Sequence, residues 1–242
     1  MVRALAIALF AVLLGSAPAS PHEAIDGQTM DRFLARITAL EAAIAARDSV
    51  DAEAEAVYAL GETLARITEL LNRDLAMHGG RAGLVATVLV SELRGRGIDL
   101  SFSPAANRYQ SHLEPFERYL ALAPAGARRA DALFRLLQGR FYDSFVSDPL
   151  QPLDMDWPGL MAQIEAAESF LARYPEHQHQ EEATFILAVG YVRAFRAAPD
   201  GATAGLYRRR ARAALTAFQD TYPGSLRAAA ARALMQGLPT AD

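Results

Sequence analysis

The chain has 242 residues, 24 basic and 28 acidic side chains, a formal net charge of −4 and no cysteine. A mildly acidic chain argues against a general nucleic-acid binder, which is usually basic. The lack of cysteine excludes disulfides, thiol catalysis and a lipidated N-terminal cysteine, so stability must come from packing. All basic residues are arginines.

At the N-terminus Arg3 precedes an apolar run, Ala4 to Leu14, and a small-residue tail with Ala17-Pro18-Ala19. This pattern reads as a secretory signal peptide over residues 1–19, too short for a permanent span of roughly 20 apolar residues. The expected mature protein is exported, soluble and without a stable membrane anchor.

Residues 20–110 read as an N-terminal helical region. Phe33, Leu34, Ile37, Leu40 and Ile44 recur at helical spacing within Thr29–Arg47. Ser49 is placed to cap a second helix, from Val50 to about His78, that Gly79-Gly80 ends. "LARITAL" at Leu34–Leu40 returns as "LARITEL" at Leu64–Leu70, which predicts an antiparallel helical hairpin. Ala82–Arg94 is expected to be helical, with Leu84, Val88 and Leu89 on one face and a Glu92–Arg96 pair. Ile98–Gln110 is a connector with a brief extended stretch, in which Ser103-Pro104 would cap a short helix.

A repeat register runs through residues 111–242. Pro124, Pro175 and Pro223 are 51 and 48 residues apart. Five residues before them stand Tyr119, Phe170 and Phe218, and eight residues after them stand Ala132, Ala183 and Ala231. Tyr174 and Tyr222 directly precede their prolines. Proline lacks an N–H and disfavours helix in the residue before it, so each one stops a helix. The aromatic fills space between helices, and the alanine lets the next helix approach closely. Each unit is therefore helix, proline turn, helix, and such units must stack to bury their apolar faces.

The segments "ESFLARYPEHQHQEEATFILAVGYV" and "TAFQDTYPGSLRAAAARAL" resemble the repeats of periplasmic tetratricopeptide (TPR)-like proteins. The likeness is to the type found in the outer-membrane assembly lipoprotein BamD and the periplasmic cell-division coordinators, down to the Gly190-Tyr191 pair. The chain departs from that type in having no lipid-bearing cysteine and a repeat spacing well above the usual length of about 34 residues. The resemblance implies an all-α, TPR-like right-handed solenoid, no catalytic residues and no cofactor. It also implies a role as a non-catalytic periplasmic scaffold or adaptor for an envelope protein or peptide.

Three other features bear on function. Val146–Gly159 reads as a proline-rich loop, started anew into helix by Pro158. In it Trp157 is either a loop anchor or, with Tyr191, a partner contact. Arg208-Arg209-Arg210 with Arg212 reads as a solvated helix face, with anionic-lipid or partner contact as the other reading. His177, His179, Glu181 and Glu182 fall at the second proline joint. They offer the alternative of a metal-dependent enzyme or metal-binding protein, with Asp154 and Asp156 as further hard-cation ligands. The spacing matches no established metal motif, so surface positions at a helix start are the expectation. The alanine-rich terminal helices leave self-association open.

Overall fold

The computed structural model describes residues 25–144 and 156–239. Residues 1–19, expected to be a signal peptide, lie outside them. Among the described residues the chain is all-α apart from one short hairpin, and no helix is long and apolar enough to cross a membrane. It divides into two compact units, with the break after Gly139.

In the first unit, α1 (Gly27–Ala46) starts where the Asp26 carboxylate accepts the Thr29 N–H at 2.7 Å. It ends at Arg47, in the left-handed conformation with φ 51°. Ser49 caps α2 (Val50–Met77), its hydroxyl accepting the Ala52 N–H at 3.1 Å. The three-residue connection returns α2 along α1. The repeated heptapeptides meet in one core, where Ile37 and Ile67 are both fully buried with Leu64, Leu70 and Leu71. Gly79 and Gly80 end α2 with φ of 62° and 89°, and the Gly80 N–H reaches back to the Leu75 carbonyl at 2.7 Å. This positive φ is why glycine stands there.

Helix α3 (Leu84–Gly95) forms as expected but turns a different face inward. Ala86, Leu89 and Leu93 are buried in the α1–α2 core, whereas Leu84 is 81% and Val88 39% exposed. Spacing alone gives two apolar stripes on so hydrophobic a helix, and packing selects one. Nor does Arg96 serve Glu92: it closes α3 and reaches α1, donating to the Thr38 hydroxyl at 2.6 Å and lying 3.7 Å from Glu41.

The connector forms an antiparallel hairpin, β1 (Phe102–Ser103) with β2 (Arg108–Tyr109). The short helix expected at Ser103-Pro104 is replaced by its turn. There the Ser103 hydroxyl accepts the Ala106 N–H at 3.3 Å and Asn107 takes φ 48°. Asn72 on α2 holds the hairpin with both ends of its amide, donating to the Tyr109 carbonyl at 2.9 Å and accepting the Tyr109 N–H at 2.7 Å.

Helix α4 (Glu114–Leu122), begun by Pro115, packs on α2. Phe116 lies against Gly61, where a Cβ would stand 2.9 Å from the ring. Phe116 and Tyr119 share a second core with Ala54, Val57, Ala132 and Leu136. Ala132 and Leu136 come from α5 (Arg129–Asp143). Arg135 of α5 grips Glu62 of α2 through two hydrogen bonds, 2.7 and 2.6 Å long.

The second unit contains α6 (Trp157–Arg173), α7 (Gln180–Ala197), α8 (Gly201–Thr221) and α9 (Ala228–Gln236). Helix α7 packs against both α6 and α8, and α9 packs against α8 and α7. The long buried side of α7, apolar except for Arg193, explains this central place: Phe185, Ile186, Val189 and Val192 are all buried. Gly190 lets α6 approach, since a Cβ there would lie 3.0 Å from Ile164. Arg193 is 1% exposed, donates to the Ser144 hydroxyl (2.9 Å) and the Gln163 side-chain carbonyl (3.2 Å), and lies 4.8 Å from the centre of the Phe141 ring.

The three proline joints share one backbone geometry. The residue before proline accepts no helical place: Ala123, Tyr174 and Tyr222 have φ/ψ of −128/69°, −131/59° and −126/56°. Each donates its N–H to the aromatic position four residues back, Tyr119, Phe170 or Phe218. Two further bonds cross each turn, Gly126 to Ala123 and Arg129 to Gly126 at the first joint, with their counterparts at the others. The alanines then donate to the residue four back, Ala132 to Arg128, Ala183 to His179 and Ala231 to Arg227. The three aromatics and three alanines are all buried, and the three prolines are exposed.

Candidate functional site

The side chains best placed to meet a partner lie on α6, α7 and α8. Trp157 is not in a loop: it opens α6 in the first turn with Pro158, and the Asp156 carboxylate caps that turn by accepting the Gly159 N–H at 2.8 Å. Asp156 is thereby a helix cap. Asp154, and the rest of the expected loop up to residue 155, lie outside the described residues.

Trp157 and Tyr191 come together through a third aromatic, Tyr207 of α8. Its ring centre is 5.7 Å from that of Trp157, edge to face, and 6.2 Å from that of Tyr191. The Tyr207 hydroxyl also contacts the Met161 sulfur at 3.0 Å. Arg210, one turn beyond Tyr207, lies 5.6 Å from the Tyr207 ring centre and 5.8 Å from that of Tyr191. Glu168 of α6 accepts the Tyr191 hydroxyl at 2.5 Å and stands 3.6 Å from Arg210. Burial first, then the hydrogen bond and charge of Glu168, push the Tyr191 hydroxyl well above its usual value. It therefore stays protonated and remains a donor. Leu206 beside Tyr207 is 39% exposed. Stacked aromatics and a guanidinium over their faces are the side chains that dominate protein contacts.

Trp157 and Tyr191 were both legible as candidates, one as the sole tryptophan and the other from its glycine pair. Tyr207, Arg210 and Glu168 were not. The arginine run reads as a solvated face, and nothing in its spacing shows that Arg210 folds over two rings.

The histidine–glutamate cluster is organised differently. His177 packs edge-on against Phe170 at 5.4 Å, and its Nδ1 accepts the His179 N–H at 3.3 Å. The two imidazole centres are 5.4 Å apart. Glu181 and Glu182 point to Arg227 at the third joint. Glu182 lies 3.1 Å and Glu181 3.6 Å from its guanidinium. Tyr142 donates to Glu182 at 2.9 Å and Ser225 to Glu181 at 2.6 Å. Burial opposes the charge on Arg227, but Glu182, Tyr142 and Glu181 outweigh it and raise its pKa. The Tyr142 hydroxyl is pushed up by burial and by Glu182. The chemistry of the glutamates is thus that of an ion-pair network between joints. Among the described residues no group of three or more histidine, aspartate or glutamate side chains is placed to hold a metal ion.

Comparison with known proteins finds no matching family model, no matching curated protein and no matching solved structure.

Proposed function

We propose that this chain is an exported, non-catalytic protein of the bacterial envelope that binds another protein or peptide, built as a TPR-like right-handed stack of helical hairpins. The observation that carries the binding reading is the cluster of half-buried Trp157 and Tyr207 with exposed Arg210, backed from beneath by the buried ring of Tyr191 and assembled from three helices. Rigid aromatic anchors with a guanidinium give large contact area at low cost in side-chain entropy. The repeat reading is supported by the common geometry of the three joints and by the packing of α7 against both α6 and α8, the order that stacked hairpins require. Export is supported by the N-terminal sequence Met1–Ala19.

The experiment is site-directed photo-crosslinking in living cells. A photoreactive residue at Leu206 should trap a defined envelope protein that one at Ala43, exposed on α1, does not. Tyr207→Ala should abolish the adduct. The same adducts from both positions, or none from either, would reject the reading.

A further inference from the structure

We infer that the segment seated on the α6–α8 cluster is an acidic, aromatic-bearing peptide stretch of the partner; this rests on the binding reading above. Arg210 carries the argument. Two tyrosine rings hold its guanidinium, yet its nearest carboxylate, that of Glu168, stands at 3.6 Å, and the same oxygen already accepts the Tyr191 hydroxyl. A planar group with five N–H donors is therefore oriented by stacking, with no protein acceptor in hydrogen-bond reach among the described residues. The next guanidinium, that of Arg209, is exposed and makes no ion pair or hydrogen bond among the described residues.

Charge complementarity sets the class of ligand. Helix α8 carries four arginines against a single acid, Asp220; Arg212 is turned to the Leu238 and Pro239 carbonyls, so the charge offered to a ligand is that of Arg209 and Arg210. A carboxylate arriving at Arg209 and Arg210 gains charge-assisted hydrogen bonds, and a basic segment is repelled. Leu206 lies one turn before both arginines, and with the rings of Trp157 and Tyr207 it offers the apolar ground for an aromatic side chain beside that carboxylate. An anionic lipid surface fits less well. Its docking requires apolar groups that protrude into the acyl boundary. Here Trp157 and Tyr207 are half-buried between helices, with the Glu168 carboxylate among them. Glu168 repels a flat anionic surface but can accept a backbone N–H of a peptide.

The test uses the only tryptophan in the chain. Emission excited at the red edge of absorption reports on Trp157 alone. The purified chain is titrated with a random glutamate/tyrosine copolymer, a lysine/tyrosine copolymer, and phosphatidylglycerol vesicles. The expected result is a saturable change with the acidic copolymer only, weakened about tenfold by Arg209→Glu and reduced by added salt. Arg209 is exposed and has no ion pair among the described residues, so this variant should keep its fold; Arg210→Gln serves as the stronger lesion. Three outcomes overturn the inference: no response to the acidic copolymer, an equal or stronger response to the basic one, or a response confined to the vesicles. If the basic copolymer binds and Tyr207→Ala abolishes that binding, the surface stands and only the acidic class falls. If neither copolymer binds and Leu206 crosslinks nothing, the binding reading falls with it.

Discussion

Gly126 should be replaceable by serine only when Tyr119 is changed with it. At each proline joint the N–H four residues after the proline finds a different side-chain acceptor. At the first joint it is the Tyr119 hydroxyl, 2.8 Å from Arg128 N. At the second it is His177 Nδ1, 3.3 Å from His179 N, and at the third the Ser225 hydroxyl, 2.9 Å from Arg227 N. Where the residue two after proline supplies the acceptor, the buried aromatic is phenylalanine; where the aromatic is tyrosine, that residue is glycine. Gly126 does not use a left-handed backbone. It is there for space, because a Cβ would overlap the Tyr119 hydroxyl oxygen and stand 2.9 Å from the Ala123 Cβ. The second contact recurs as a Cβ pair at the other two joints, where the residue before proline is tyrosine, so the first is the one peculiar to this joint. Tyr119 is fully buried and its ring cannot slide away. Gly126→Ser should therefore displace the ring, at about 1–3 kcal/mol for overpacking, and strand the hydroxyl, at about 1–3 kcal/mol more. Capture of the Arg128 N–H by the new serine offsets part of this, leaving a loss of about 2–4 kcal/mol. Tyr119→Phe alone should cost about 1 kcal/mol, one net hydrogen bond. The double variant brings the aromatic and acceptor of the third joint to the first and should fall within about 1 kcal/mol of the parent, a coupling of at least about 2 kcal/mol. Urea unfolding followed by far-ultraviolet circular dichroism measures the cycle, and amide exchange at Arg128 reports the bond directly. Additive losses, or a harmless Gly126→Ser in the presence of Tyr119, would refute the steric account.

Further predictions concern the second unit. Ala183→Trp places bulk at a position with no exposure and should cost about 1–3 kcal/mol or more; an unchanged melting temperature would mean that α7 is not tightly crossed there. Arg227→Gln leaves Glu182, whose side chain is 14% exposed, without its cation. It should cost about 3 kcal/mol in urea unfolding, and a loss below about 1 kcal/mol would show that the network adds nothing net. The Asp200 carboxylate accepts the Thr203 N–H at 2.8 Å and its hydroxyl at 2.9 Å, and these bonds hold its pKa below the usual aspartate value. Its contribution is present above the unfolded-state pKa and is lost as pH falls through the lowered folded value. Asp200→Asn should accordingly flatten the acid side of the stability curve of α8, read by amide protection at low pH; an unchanged slope contradicts this. Isothermal calorimetry with zinc should give no heat at micromolar metal, because Glu181 and Glu182 are engaged with Arg227; stoichiometric binding lost on His177→Ala would restore the metal reading.

Helix positions and their ends were written in local sequence, because caps and stops act over one turn. Ser49, Gly79-Gly80 and Pro158 mark boundaries that the structure places within a residue or two. The proline register was equally legible, since an aromatic, a proline and an alanine at set distances define a joint whatever surrounds it. Which stripe of α3 turns inward was not, because Leu84, Val88, Ala86 and Leu89 satisfy helical spacing on two faces and only α1 and α2 choose between them. The same limit applies to charges. Arg96 leaves its neighbour on α3 for Thr38, and Glu182 leaves the histidines beside it for an arginine 45 residues away in the chain.

A mostly helical chain with three proline joints thus follows from periodicity, capping and the missing proline N–H, all of them local effects. The cluster at Trp157, Tyr207 and Arg210 follows from none of these. Its members come from two helices separated by a third, and they meet because α7 is apolar enough to draw both α6 and α8 onto itself. Long side chains such as arginine take their partners from whatever tertiary packing brings near, so their roles appear only once the helices are in place.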